Sequence, residues 1–197
     1  MTMREICPQR RLRSFAARCE KVELRTVAVT EDFPDSPELQ KILDAQFPVG
    51  QRPTVKILCG IADSCFSAYY HGQTLIGLSA TLDVGQTTVL LYLAVRCGMT
   101  GRGFGTEILR LIKRRRAGRI ILLCVEDPDD TTADNLEQRH RRVAFYGRQG
   151  FVKTARRLNC GGLSVSVLSN GASFPCEFRE SAMRVCDWLA TKMGATA

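Results

Sequence analysis

From Leu91 to Thr106 the chain reads LYLAVRCGMTGRGFGT, an apolar run ending at Val95, then Gly101, Gly103 and Gly105, then at once an amphipathic pattern of helical period. A strand feeding a glycine-rich turn and a helix is what a backbone needs to hold a phosphate. Glycine lets the main chain approach closely, and the first N–H groups of a helix have no partner inside it and point at the anion. Thr100, Gly101, Arg102, Gly103, Phe104, Gly105 and Thr106 would form that cradle. A Walker-type loop would need Gly-Lys-Ser/Thr, which is missing, and the Rossmann spacing fails because Gly105 comes one residue early. Downstream, Ala144-Phe145-Tyr146-Gly147-Arg148-Gln149-Gly150-Phe151 brings a phenol, whose ordinary pKa of about 10 makes it a candidate proton donor. Glu126, closing an apolar run, is a carboxylate that could take a proton. Each has a plainer alternative: Tyr146 as a core aromatic capping a carbonyl, Glu126 as a polar residue where a strand leaves its sheet.

In this order and at this separation, the two elements resemble the GNAT superfamily of acyl-CoA-dependent N-acetyltransferases. Thr100-Gly101-Arg102-Gly103-Phe104-Gly105 fits the family's R/Q-x-x-G-x-G/A in register, with Thr100 where Arg or Gln is usual, and residues 144–151 look like its A-x-F-Y-x-x-x-G-F. The likeness spans residues 66–171. Val125-Glu126, the Arg-rich stretch Arg139, Arg141 and Arg142, and Val167 to Gly171 are similar to a bacterial subgroup. The resemblance implies an α/β fold with a mixed, mostly antiparallel sheet, splayed central strands and flanking helices. It implies acetyl-CoA as co-substrate, no metal, and a small-molecule or peptide amine as acceptor. The pantetheine arm would lie along the strand edge at Leu93, Ala94 and Val95, where a main-chain N–H would also serve the oxyanion, a contribution of up to about 3 kcal/mol. Tyr146 becomes the general acid and Glu126 the general base, directly or through water. Tyr70 and Tyr92 are the aromatic candidates for the acceptor site. With no cysteine placed as an acyl carrier, transfer would be direct, in a ternary complex. Thr100 could weaken diphosphate binding or admit another acyl donor, unless Arg102 or its own hydroxyl compensates.

At 197 residues and 45% apolar content, the chain suits one domain with a real core. No apolar run reaches the roughly 18 residues of a membrane span, and residues 1–21 are basic without the apolar stretch of a secretory signal. They read as an arm or surface helix before a domain at 22–171, with 172–197 a helical extension. Nine cysteines, an odd number with no Cys-x-x-Cys pair, argue against zinc and for a reducing cytoplasm; Cys59, Cys97 and Cys124 read as small core hydrophobes. The net charge of +8 raises an RNA- or ribosome-associated protein as one alternative. Without a module presenting stacking aromatics, the basic groups 113–119 and 139–148 read instead as solvated helix ends that attract the phosphates of coenzyme A. The other alternative is a non-catalytic acyl-CoA sensor. A homodimer through the C-terminal extension is also open.

The elements that must position these groups follow from periodicity. Strands are expected at 22–29, 65–70, 75–82, 88–95, 119–125, 151–154 and 163–168. Helices are expected at 34–47, 106–116 and 135–149, and a last one is marked by Phe178, Ala182, Val185 and Leu189 with Ser173 as cap.

Overall fold

The computed structural model describes residues 22–49, 51–131, 133–160 and 163–171. The basic arm and the C-terminal helix expected from the sequence lie outside them. Strands β1 (Arg25–Ala28), β2 (Ser64–His71), β3 (Thr74–Val84), β4 (Thr87–Val95), β5 (Ile120–Glu126), β6 (Val152–Cys160) and β7 (Leu163–Ser169) form one sheet in the order β1-β2-β3-β4-β5-β7-β6. Every neighbouring pair is antiparallel except β4 and β5. This is the expected mixed sheet, and its one parallel pair is joined by a crossover helix, as a parallel pair requires.

Helices α1 (Ser36–Gln46) and α2 (Val55–Cys59) cover one face, where Leu39, Ile42, Leu43 and Leu58 pack on Phe66, Leu78, Val89, Tyr92 and Val167. Helices α3 (Phe104–Arg115) and α4 (Leu136–Arg148) cover the other, where Ile108, Leu109, Leu111 and Tyr146 meet Tyr69, Ile76, Leu90, Ile121 and Leu123. α2 was not expected. Five residues are too short to show a helical period, and its start depends on capping: Thr54 Oγ1 accepts from Ile57 N at 3.1 Å, and Gln40 of α1 accepts from Val55 N at 2.9 Å. β6 runs to Cys160, past the expected end at 154, because its basic residues have partners: Arg157 Nε lies 3.1 Å from buried Asp127.

The C-terminal run Ser169-Asn170-Gly171 has a structural use. Asn170 Oδ1 accepts from Ile121 N at 2.7 Å, and a Cβ at Gly171 would stand 3.0 Å from Ile120 Cγ1. The β7 end is thereby stapled across β5.

Candidate active cleft

The functional geometry starts with a register change in β4. Leu90 pairs with Thr81 and Tyr92 with the adjacent Ala80, so Leu91 is the extra residue of a β-bulge. Beyond it the alternation of faces is reset: Leu91, Tyr92 and Ala94 turn toward the α1 side, Leu93 and Val95 toward α3. The same point ends the pairing of the two central strands. Thr87 to Leu90 pair with Ile120 to Leu123, whereas β4 from Leu93 to Val95 keeps only its β3 partners and β5 from Cys124 keeps only β7. A cleft of about 1220 Å³ opens along this divergence, lined by Leu91, Leu93, Ala94 and Val95 on one side and Leu123 and Cys124 on the other.

Its β4 wall is set by close backbone contact. A Cβ on Gly77 of β3 would fall 2.3 Å from the Ala94 carbonyl oxygen and 3.2 Å from Ile108 Cδ1, so only glycine allows β3 to approach here.

The glycine loop forms the next wall. Thr100, Gly101, Gly103, Gly105 and Thr106 all line the cleft. Gly101 and Gly103 have φ of +77° and +83°, which glycine adopts freely. Gly103 is the N-cap of α3 and offers no side-chain cap, so the first N–H groups of the helix are left to the cleft. Phe104 and Arg102 do not line it. The Phe104 ring is buried 5.7 Å from the His71 ring, leaving only its backbone for the loop, and exposed Arg102 donates to Met99 Sδ at 3.7 Å. The expected help from an Arg102 side chain is therefore not in place, while Thr100 is.

α4 supplies the remaining wall. Phe145 stands 3.5 Å from where a Cβ on Gly105 would be. Gln149 Nε2 donates to Thr106 Oγ1 at 3.4 Å, and Lys113 Nζ of α3 donates to the Gln149 carbonyl, so the two helices are pinned together. Tyr146 lines the cleft, 7% exposed, its ring edge-on to Phe145 at 5.0 Å and to Phe151 at 5.7 Å. Among the described residues its hydroxyl makes no hydrogen bond, so it caps no carbonyl there. Burial pushes its pKa up to about 12, with Arg142 pulling the other way.

Glu126 is placed differently from the expectation. Its carboxylate is 8% exposed and does not line the cleft; Arg142 Nη1 lies 3.2 Å and Arg139 Nη2 3.5 Å from it, and Asn135 Nδ2 donates at 3.2 Å. Two guanidiniums and an amide occupy the oxygens that a base would use. Arg139, expected at the surface, is buried; it also holds Asp130 at 3.1 Å and the Asp127 carbonyl at 2.9 Å.

Tyr70 and Tyr92 are not brought to the cleft. Tyr70 donates to Asp35 beside α1, with Arg25 over its ring at 4.4 Å, and Tyr92 packs edge-on against Phe47 at 5.1 Å. Cys97 is exposed, not a core residue, and its sulfur accepts from Gln46 Nε2 at 3.3 Å.

The lining also includes Gln46, Phe47, Asp134, Asn135, Glu137, Gln138, Arg141 and Arg148, to which the sequence reading gave no individual role. For α4 the signal was legible: 137, 141, 145 and 148 share a helix face. Gln46 and Phe47 arrive only through tertiary packing. Among the described residues no group of three His, Cys, Asp or Glu could hold a metal, and no helix is long and apolar enough to cross a membrane.

No protein-family model matches the sequence and no curated protein matches it, but solved structures do. A protein assigned to the GNAT acetyltransferase family in Bacteroides thetaiotaomicron superposes over 85% of this chain and 98% of its own, with a TM-score of 0.69 at 18% identity. A GNAT-family acetyltransferase of Elizabethkingia anophelis with acetyl-CoA bound matches 77% of this chain and 100% of its own, at TM-score 0.54 and 13% identity. The ribosomal-protein-S18-alanine N-acetyltransferase of Escherichia coli matches 79% of this chain and 97% of its own, at TM-score 0.56 and 16% identity.

Proposed function

We propose that this chain, which has the GNAT fold, is an N-acyltransferase that moves an acyl group, acetyl by default, from a coenzyme A thioester to a primary amine. The observation that carries the reading is the coincidence of three features at one opening: the end of β4–β5 pairing at Leu90 and Leu123, the left-handed glycines of the loop, and a Tyr146 hydroxyl without a partner among the described residues.

The donor's diphosphate fits the α3 N-terminus, where N–H groups from Gly101 to Thr106 and the helix dipole favour an anion. Leu93, Ala94 and Val95 have backbone groups without a β5 partner, available to an extended pantetheine and to the carbonyl oxygen as negative charge grows on it. The amine attacks the carbonyl carbon, the C–S bond breaks, and the proton the amine loses balances the one the thiolate gains. With its pKa near 12, Tyr146 stays protonated at any working pH. Raised in this way, it is a weaker acid than a thiol, so full proton transfer to the thiolate is uphill and its role is hydrogen-bond donation to the sulfur while charge develops. Glu126 serves as a holder of Arg139, Arg142 and Asn135, and the amine's proton passes to water in the open cleft.

An acetyl-CoA-dependent thiol-release screen across small amines, amino acids, polyamines and peptide N-termini tests this. Release with at least one amine class, abolished when the loop is altered, is expected. One observation favours a second reading, an acyl-CoA sensor: the Glu126 carboxylate expected as base is engaged by Arg139, Arg142 and Asn135. Coenzyme A binding without thiol release on any amine would select the sensor.

A further inference from the structure

Taking the acyl-CoA reading as given, we infer that Arg141 and Arg148 form a subsite on the α4 wall for the 3′-phosphate of the coenzyme A nucleotide, separate from the diphosphate site at the loop. Both line the cleft and both are exposed. Seven residues apart on one helix, they share a face about 10.5 Å apart along the axis. They flank Phe145, the residue that meets Gly105 at the start of α3.

The charge state of the two is what points to a ligand. Three arginines line the cleft, and of these Arg142 is paired with Glu126. Elsewhere Arg96 has Glu38, Arg110 has Glu107, and Arg116 and Arg119 have Asp83, while the other arginines without a carboxylate, such as Arg102, Arg114 and Arg115, stand outside the cleft. Among the described residues, Arg141 and Arg148 have neither an ion pair nor a side-chain hydrogen bond. Glu137, one helical turn before Arg141, is placed to pair with it and does not. Helix-dipole stabilisation explains a cation in the last turn, which covers Arg148 but not Arg141.

A second anion locus is needed to use them. The attraction of a helix N-terminus fades within its first turn, so the loop accounts for one anionic group on the α3 side, and the arginines stand on the opposite helix. The order of charge along the cleft face of α4 is also graded, with Asp134 and Glu137 first and Arg141 and Arg148 after. Phosphates are thereby drawn to the C-terminal half of α4, and the acidic end is left to the incoming amine. Coenzyme A carries its diphosphate and one further, doubly charged phosphate on the ribose, which guanidiniums bind by forked, charge-assisted hydrogen bonds.

Calorimetry with coenzyme A and with dephospho-coenzyme A, on the wild type, Arg141→Gln, Arg148→Gln and the double variant, tests this. The wild type should bind coenzyme A at least about tenfold more tightly, the size expected for losing a charge-assisted contact. The double variant should bring the two ligands to within about twofold while changing dephospho-coenzyme A affinity by less than about threefold. Equal wild-type affinities overturn the subsite. A double variant that loses both ligands equally also overturns it, assigning the arginines to the diphosphate. If the wild type binds neither ligand, the acyl-CoA reading fails and this inference with it, an outcome distinct from binding both equally. Gln keeps helix propensity at exposed positions, and an unchanged melting temperature confirms that each variant is folded.

Discussion

β4 and β5 run in parallel, but their two halves are different structures. From Thr87 to Leu90, β4 is bonded on both edges, and the seam is closed below by Arg119, which donates to the Gly85 and Thr87 carbonyls and to Thr88 Oγ1 while Asp83 holds Arg116 at 3.0 Å. From Leu93 to Val95 one edge of β4 faces an open cleft instead. The closed half uses side chains to satisfy backbone groups; in the open half, among the described residues, β4 pairs with β3 alone. Unpaired peptide groups beside a core are costly unless water or a ligand takes them, so the open half is where binding is to be expected. The bulge at Leu91 marks the boundary, turning a paired parallel seam into the edge of an open cleft within one residue.

The largest contrast between the halves is expected from glycines with the same backbone and different surroundings. Gly103 and Gly118 have φ of +83° and +81°, and a Cβ on either meets nothing within 4 Å. Gly118 lies past the end of α3 and does not line the cleft. Aspartate at either site should carry a similar strain of about 1–2 kcal/mol. Only Gly103→Asp also puts a carboxylate in the proposed anion site, so its coenzyme A affinity should fall by about 10³-fold or more, while Gly118→Asp stays near wild type. Calorimetry on both variants checks this, and equal affinities would remove the loop from the site.

Tyr146→Phe comes next. The ring contacts with Phe145 and Phe151 survive, so coenzyme A affinity should hold while turnover drops on the order of 10²-fold. The loss should shrink with donors whose leaving thiol is more acidic. There is also a thermodynamic signature. The Tyr146 pKa is raised to about 12 by burial, against about 10 when unfolded, so its stabilising contribution is intact below pH 10 and lost as pH rises through 12, by on the order of a few kcal/mol. Denaturant melts between pH 9 and 12 should fall less steeply for the Phe variant. A variant with wild-type turnover would show the hydroxyl idle.

Glu126→Gln separates holding from catalysis. Removing one partner of a buried ion pair leaves Arg139 exposed to the full cost of burial, but Asp130 still faces it at 3.1 Å, so a destabilisation of about 2 kcal/mol is expected, below the usual range for an orphaned charge. The pH profile of kcat/KM should keep its alkaline rise. A flattened rise at unchanged stability would restore Glu126 as the base.

The sequence carried the parts of the site that depend on chain neighbours. A glycine loop between a strand and a helix, and a Phe-Tyr one turn from a helix end, are local patterns, and both line the cleft. Glu126, Tyr70 and Tyr92 were read from strand positions alone. Their roles depend on what comes across the sheet, namely Arg139 and Arg142 from α4, Asp35 before α1 and Phe47 at its end. The bulge at Leu91 was also invisible, because an all-apolar run shows no break in alternation. It decides which way Tyr92 faces.

The smallest effect is expected from the closed seam, and it bears most directly on whether the two halves are independent. Arg119 is 24% exposed and supplies hydrogen bonds to two carbonyls and a hydroxyl that are otherwise at the strand junction. Arg119→Met keeps the apolar stem and removes the donors. The Gly85 carbonyl can turn to water at the surface turn, so the net cost should be about 1–2 kcal/mol in stability, the size of one or two exchanged hydrogen bonds. Coenzyme A affinity and turnover should stay within about twofold, because additivity holds for sites without shared partners and none of the hydrogen-bond or ion-pair partners given for Arg119 lines the cleft. If the variant instead loses affinity well beyond that, the seam is setting the angle at which β4 and β5 diverge, and the width of the cleft is then a property of the whole strand pair.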